Sequence, residues 1–108
     1  RTEAAATVAA GSDIGAARRE EIGRVALAQQ AIARFDAQDW RGTLAVLDRR
    51  RAHVAEPRDL MSMRGWALYH LDRKSEANSV FALLDSQMST RETRMGLQVT
   101  DTRTKPRY

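Results

Sequence analysis

The sequence has no cysteine, only two prolines, and aromatic residues at only 6%. Without cysteine there is no disulfide, no thiolate nucleophile and no Cys-ligated zinc or iron–sulfur centre. That lack suits the cytoplasm and the periplasm equally, so it assigns no compartment. Long apolar runs are missing too. The longest uncharged stretches, Ala4–Ser12 and Val25–Ala33, are nine residues each, and a membrane span needs about 20. No membrane insertion is expected. The first eleven residues lack the cationic-then-apolar build of a complete signal peptide. The chain opens on Arg1 rather than Met, as a processed product or a fragment of a longer protein would.

Catalytic and cofactor patterns are equally scarce. The two histidines, His53 and His70, are 17 residues apart, so no His-x-x-x-His metal spacing exists. The six glycines (11, 15, 23, 42, 65 and 96) are scattered and form no phosphate-cradling loop. Paired carboxylates, Glu20/Glu21 and Asp36/Asp39, sit at helix ends or on polar faces and read as caps or solvated acids. Asp48, Asp72 and Asp85 read as surface or turn acids. No enzyme activity, metal or cofactor is expected.

What is present is helix-forming material: 108 residues with 18 Ala and 16 Arg, 30% charged and net +4. This is one domain's worth of chain. Residues 1–11 read as a loose lead. Ser12–Asp13 signals a helix start, and Ile14, Ile22, Val25, Ile32 and Phe35 mark a helix to about Ala37. Asp39 is expected to cap a second helix opening at Trp40 and ending on Arg49–Arg51, where cations meet the negative dipole end. Pro57 opens a third helix ending near Leu71. A fourth starts around Lys74, and Ser89-Thr90-Arg91-Glu92 reads as a capping box for a short fifth. The tail from Asp101, with Pro106, is expected to be loose.

Sliding the chain by 34 residues reveals an internal repeat. Leu27 falls on Met61 and Met61 on Met95. Ala31 falls on Gly65, Ile32 on Trp66, Phe35 on Tyr69, Thr43 on Ala77, Val46 on Val80 and Leu47 on Phe81. Gly65-Trp66-Ala67-Leu68-Tyr69, Glu76-Ala77 and Phe81 stand where the tetratricopeptide repeat family has its small residue, aromatic pair, Glu-Ala dipeptide and second-helix aromatic. The chain resembles that family over residues 24–100, with repeats at about 24–57 and 58–91 and a capping helix at 90–100. It departs from the pattern at Arg34, Arg50 and Arg64, where apolar or small residues are usual. The resemblance implies an all-α fold of about five helices, stacked as a short solenoid of antiparallel hairpins. A generic helical bundle with a chance repeat would share most of the same core: Leu27, Ala31, Leu47, Met61, Gly65, Leu68, Ala77, Val80, Phe81, Leu84 and Met95.

The resemblance also implies a function: a non-catalytic module that holds a partner peptide on a concave helical face. By register the groove takes Val25, Ala28, Ile32, Phe35 and Asp36 from one repeat, and Asp59, Ser62, Trp66, Tyr69 and His70 from the next. Such a groove is aromatic and apolar with acidic edges, and suits an apolar or basic segment. Two other readings stand beside it. One is an oligomerising scaffold, in bacteria often serving secretion or exopolysaccharide export. The other is a small nucleic-acid-binding domain built on the arginine run and basic tail, although acids interleave both. Two repeats and a half leave the N-terminal face uncovered, which favours a homodimer through the first helix or a longer array.

Overall fold

The computed structural model describes the backbone of residues 2–102 and the side chains of residues 15–102. Five helices pack against one another, and no strand occurs among the described residues: α1 (Thr2–Asp36), α2 (Trp40–Arg51), α3 (Arg58–His70), α4 (Lys74–Gln87) and α5 (Arg91–Thr100). The all-α hairpin architecture follows the sequence reading. The start of α1 does not. The helix backbone passes through Ser12–Asp13 and begins at Thr2, because an alanine-rich stretch favours helix and contains no proline to stop it. The side chain of Ile14 and the tail from residue 103 onward lie outside the described residues. Residues 16–23 bury no side chain, and the long first helix draws the molecule out to 82 × 28 × 19 Å.

The repeat is visible in the backbone. Gln38 and Asp72, 34 positions apart, both take left-handed φ (61° and 63°) in the turns that close the two hairpins. The amide after each reaches back into the preceding helix: Asp39 N–H to Arg34 O at 2.8 Å, Arg73 N–H to Leu68 O at 2.9 Å. These bonds satisfy carbonyls that a helix C-terminus otherwise leaves open. Asp39 then caps α2, accepting from Gly42 N at 3.0 Å. Pro57 is the N-cap of α3 rather than its first residue, with Arg58 opening the helix. Arg58 also grips the end of α4, donating to the carbonyls of Leu84 and Met88 at 2.9 Å each.

Adjacent helices pack in order along the chain. In addition the α1 backbone comes close to α3 and that of α3 to α5, whereas the backbones of α2 and α4 stay further apart among the described residues. The odd-numbered helices therefore lie closer to one another than the even-numbered ones do.

The apolar core divides in two. One cluster joins α1, α2 and α3 through Ala31, Val46, Leu47 and Leu60, with Leu27, Ala28 and Met63 against it. The other joins α2, α3 and α4 through Leu44, Ala67, Leu68, Ala77, Phe81 and Leu84. Phe81 is fully buried between two glycines, Gly65 of α3 and Gly96 of α5. The missing Cβ atoms are what lets both helices close on its ring.

One expected core residue is on the outside: Met95 is 50% exposed. α5 is contacted only by α3 and α4 among the described residues, so one of its faces stays uncovered, and the second repeat interval changes which face that is. α3 opens at Arg58 and α5 at Arg91, one residue short of the 34-residue period. A slip of one residue turns a helix face by about 100°. Thr93, Gly96 and Thr100 face inward instead, while Met95 and Val99 face out. Of the remaining expected core, Leu27, Met61 and Val80 are half-buried and the others are buried.

Candidate functional site

The groove positions inferred from the repeat register fall into distinct groups. Four belong to a continuous chain of rings. Phe35, at the end of α1, meets Trp40 edge-on at 5.1 Å, and Trp40 stacks flat on His70 at 4.2 Å with 9° between planes. Tyr69 contacts both His70 (5.3 Å) and Trp66 (5.9 Å), and Trp66 reaches Phe81 at 4.8 Å. Phe35 and Tyr69, repeat partners in sequence, are thus joined through Trp40 and His70. His70 is exposed while Phe35, Trp40, Trp66 and Tyr69 are half-buried. Trp66 and Tyr69 also pack against the second core cluster, so they anchor the face as well as presenting it.

A second group centres on Glu92 of α5. Its carboxylate accepts from Ser62 Oγ at 2.8 Å and from Trp66 Nε1 at 3.1 Å, tying α3 to α5. Asp59 and Ser62 line one wall of a cleft of about 130 Å³ whose other walls include Thr90, Glu92 and Thr93. Asp59 is exposed, and its carboxylate accepts from the Leu60 amide at 2.9 Å. Glu92 is free for this role because it is not the capping residue. Thr90 and Thr93 form the capping box of α5, one residue on from the expected Ser89–Glu92 pair. Thr93 Oγ1 in turn donates to Asp85 at 2.7 Å. That hydroxyl, followed by the one on Ser89, holds the Asp85 carboxyl below the ordinary aspartate value.

The rest of the register-derived set lies apart from the rings. Val25 and Ile32 are 50% and 42% exposed on α1. Asp36 is exposed at its end, and Ala28 packs on the α1–α2–α3 core. Trp40 and Glu92 are site residues that the register did not supply. Trp40 belongs to a second helix, outside the positions that a first-helix register can name. Glu92 was masked by the Ser-x-x-Glu spacing, which points equally well to a cap.

Two acids read as plain surface groups have structural partners. Asp48 accepts from Arg64 Nη1 at 2.7 Å, and Arg64 also grips both oxygens of Glu56, at 2.9 and 2.8 Å. The Arg64 and Glu56 side chains are 9% and 3% exposed. Burial works against the charge on Arg64, but the bonds to Glu56 and Asp48 outweigh it and hold its pKa raised. This triad fastens the α2–α3 loop between its helices and satisfies the buried charge of Arg64. Asp85 is the second such acid, through Thr93.

The arginine run is largely engaged within the chain. Arg51 pairs with Glu56 at 3.0 Å, and Arg50, half-buried, donates to the Arg24 carbonyl at 3.3 Å. Among the described residues no group of three or more His, Cys, Asp or Glu could hold a metal ion, and no helix is long and apolar enough to cross a membrane. Comparison of the chain with protein families, curated proteins and solved structures finds no match in any of the three.

Proposed function

We propose that this chain is a non-catalytic protein–protein interaction module, holding a peptide segment of a partner on the face formed by α1, α3 and α5. The resemblance to tetratricopeptide repeats suggests this use. The observation that carries it is the run of rings through Trp40, His70, Tyr69 and Trp66, bordered by the Glu92 carboxylate. Half-buried aromatics fixed by their neighbours offer contact area with little further loss of side-chain freedom. Exposed Asp59 and Glu92 give the face an acidic border, which favours an apolar segment carrying basic residues.

Peptide display against the immobilised chain tests this reading. Recovered sequences are expected to combine apolar and basic residues, and their binding to fall on Glu92→Lys and on His70→Ala with helicity unchanged. Recovery of acidic sequences, or binding indifferent to both changes, refutes it.

The oligomerising-scaffold reading, including service in a bacterial secretion or polysaccharide-export assembly, draws support from apolar side chains exposed at both ends of the stack: Ile22, Val25 and Ile32 on α1, and Met88, Met95 and Val99 at and before α5. The nucleic-acid reading is weakened by the internal engagement of Arg50 and Arg51.

A further inference from the structure

The outer face of α1 carries a pattern that its own chain does not use. Ile22, Val25, Gln29 and Ile32 are all exposed, and their spacing is three, four, three. That is the spacing of a seam between two helices. Leu27 and Ala31, which pack on α2 and α3, lie on the opposite side of the same helix, with Ala28 on the flank between the two faces, so the seam is not the core face seen from another angle. Ala26 and Ala33 border it, and nothing bulky there holds a second helix away. The seam ends in Arg18 on one side and Asp36 on the other. Both are exposed, and neither has a hydrogen bond or ion pair among the described residues.

We propose that a second copy of this chain covers the seam, with the two α1 helices antiparallel about a two-fold axis. The charge placement selects this direction. Antiparallel pairing sets Ile22 opposite Ile32 of the other copy and Val25 opposite Gln29. In the same register Arg18 faces Asp36, once at each end of the seam. A parallel pair would set Arg18 against Arg18 and Asp36 against Asp36, two like-charge contacts in place of two attractive ones. The two-fold arrangement is closed, so it gives dimers and not fibres. It stands independently of the peptide reading and narrows it: Val25 and Ile32 are covered in the dimer, and the peptide face is left to α3, α5 and the aromatic run.

The absence of cysteine makes the test clean. The intact chain at micromolar concentration is expected to show twice its monomer mass in light scattering. Val25→Glu should return it to monomer with unchanged circular dichroism. Arg18→Asp should weaken the dimer at least tenfold, and adding Asp36→Arg to it should restore the affinity. Under mild oxidation, Ile22→Cys chains mixed with Ile32→Cys chains should form mixed disulfide dimers, while neither variant alone links to itself. Self-linking of Ile22→Cys would establish a parallel pair, and a monomeric parent chain would end the proposal altogether. Loss of the dimer by Val25→Glu with peptide capture retained separates the two readings.

Discussion

Phe81 sits between two helices that approach it only because each has a glycine there, and replacing those glycines tests the packing directly. A Cβ on Gly96 would lie 2.5 Å from Cγ and Cδ1 of the ring and 2.7 Å from Cδ2. On Gly65 it would lie 2.8 and 2.9 Å from Cζ and Cε2. Ordinary contact starts at 3.4 Å, so Gly96→Ala forces a displacement of about 1 Å on a ring with no free space, an overpacking cost of about 1–3 kcal/mol. Against this, alanine gains about 1 kcal/mol over glycine within a helix. The net expectation is a loss of about 1–2 kcal/mol for Gly96→Ala and about 0–1 kcal/mol for Gly65→Ala. Gly23 provides the control. Nothing lies within 4 Å of its absent Cβ, so Gly23→Ala keeps only the helix gain and stabilises α1 by about 0.5–1 kcal/mol. Urea melts followed at 222 nm give all three values. Phe81→Leu, which thins the ring, should relieve the Gly96→Ala penalty, with a coupling of about 1 kcal/mol in the double-mutant cycle. If Gly96→Ala stabilises the chain as much as Gly23→Ala does, the three-helix contact at Phe81 is refuted.

Arg64→Met should destabilise the chain by about 3 kcal/mol, since it strands the buried Glu56 carboxylate with only Arg51 as partner; Arg64→Met with Glu56→Gln should recover most of that loss in the same melts. Acid should weaken the fold through Asp39 and Asp85. Asp39 is held below the usual aspartate value of 3.8, first by the Gly42 amide and then by Arg34, and Asp85 by the Thr93 and Ser89 hydroxyls. Their contribution is complete above the unfolded-state value and is lost as pH falls through the lower folded-state values. Stability should therefore hold down to about pH 4 and fall below it, and Asp39→Asn with Asp85→Asn should flatten that fall. Met95→Lys should change stability by less than about 0.5 kcal/mol, because the side chain points outward; a loss of several times that would restore the unbroken 34-residue register.

The helices and the first repeat interval were legible because they rest on local signals. Asp39 before Trp40 is a cap wherever the chain goes, and the offset pairing Ala31 with Gly65 and Leu47 with Phe81 keeps size and polarity at buried sites. The second interval was not legible. α4 runs on to Gln87 and the turn before α5 is short, so the period shrinks by one residue while Met61 and Met95 still match in chemistry. A like residue at the right offset carries no information about which way a rotated helix presents it. Thr93 and Thr100 hid in the same way: their hydroxyls are satisfied by Asp85, and by Gly96 O and Asn78. Nothing in threonine's polarity announces that it will be buried. Arg64 stood out on an apolar face, but its partners, Glu56 in the loop before α3 and Asp48 sixteen residues back, meet it only through the path of the chain. Of the candidate site, the aromatic positions were readable from the register, whereas Trp40 and Glu92 joined it through contacts between helices.

The division of the core into two clusters sets the order in which the chain can come apart. Lifting α1 away breaks the contacts of Leu27, Ala28 and Ala31 and leaves the Leu44, Leu68, Phe81 and Leu84 cluster closed. The stack therefore unzips from its N-terminal side, and amides of α1 should exchange with solvent ahead of those in α3 and α4. Partial opening of that kind uncovers Val46, Leu47 and Leu60 together, a strip of apolar surface hidden in the closed chain. A protease, a chaperone or a pulling force applied at the N-terminal helix would meet this strip while the α3–α5 half still stands.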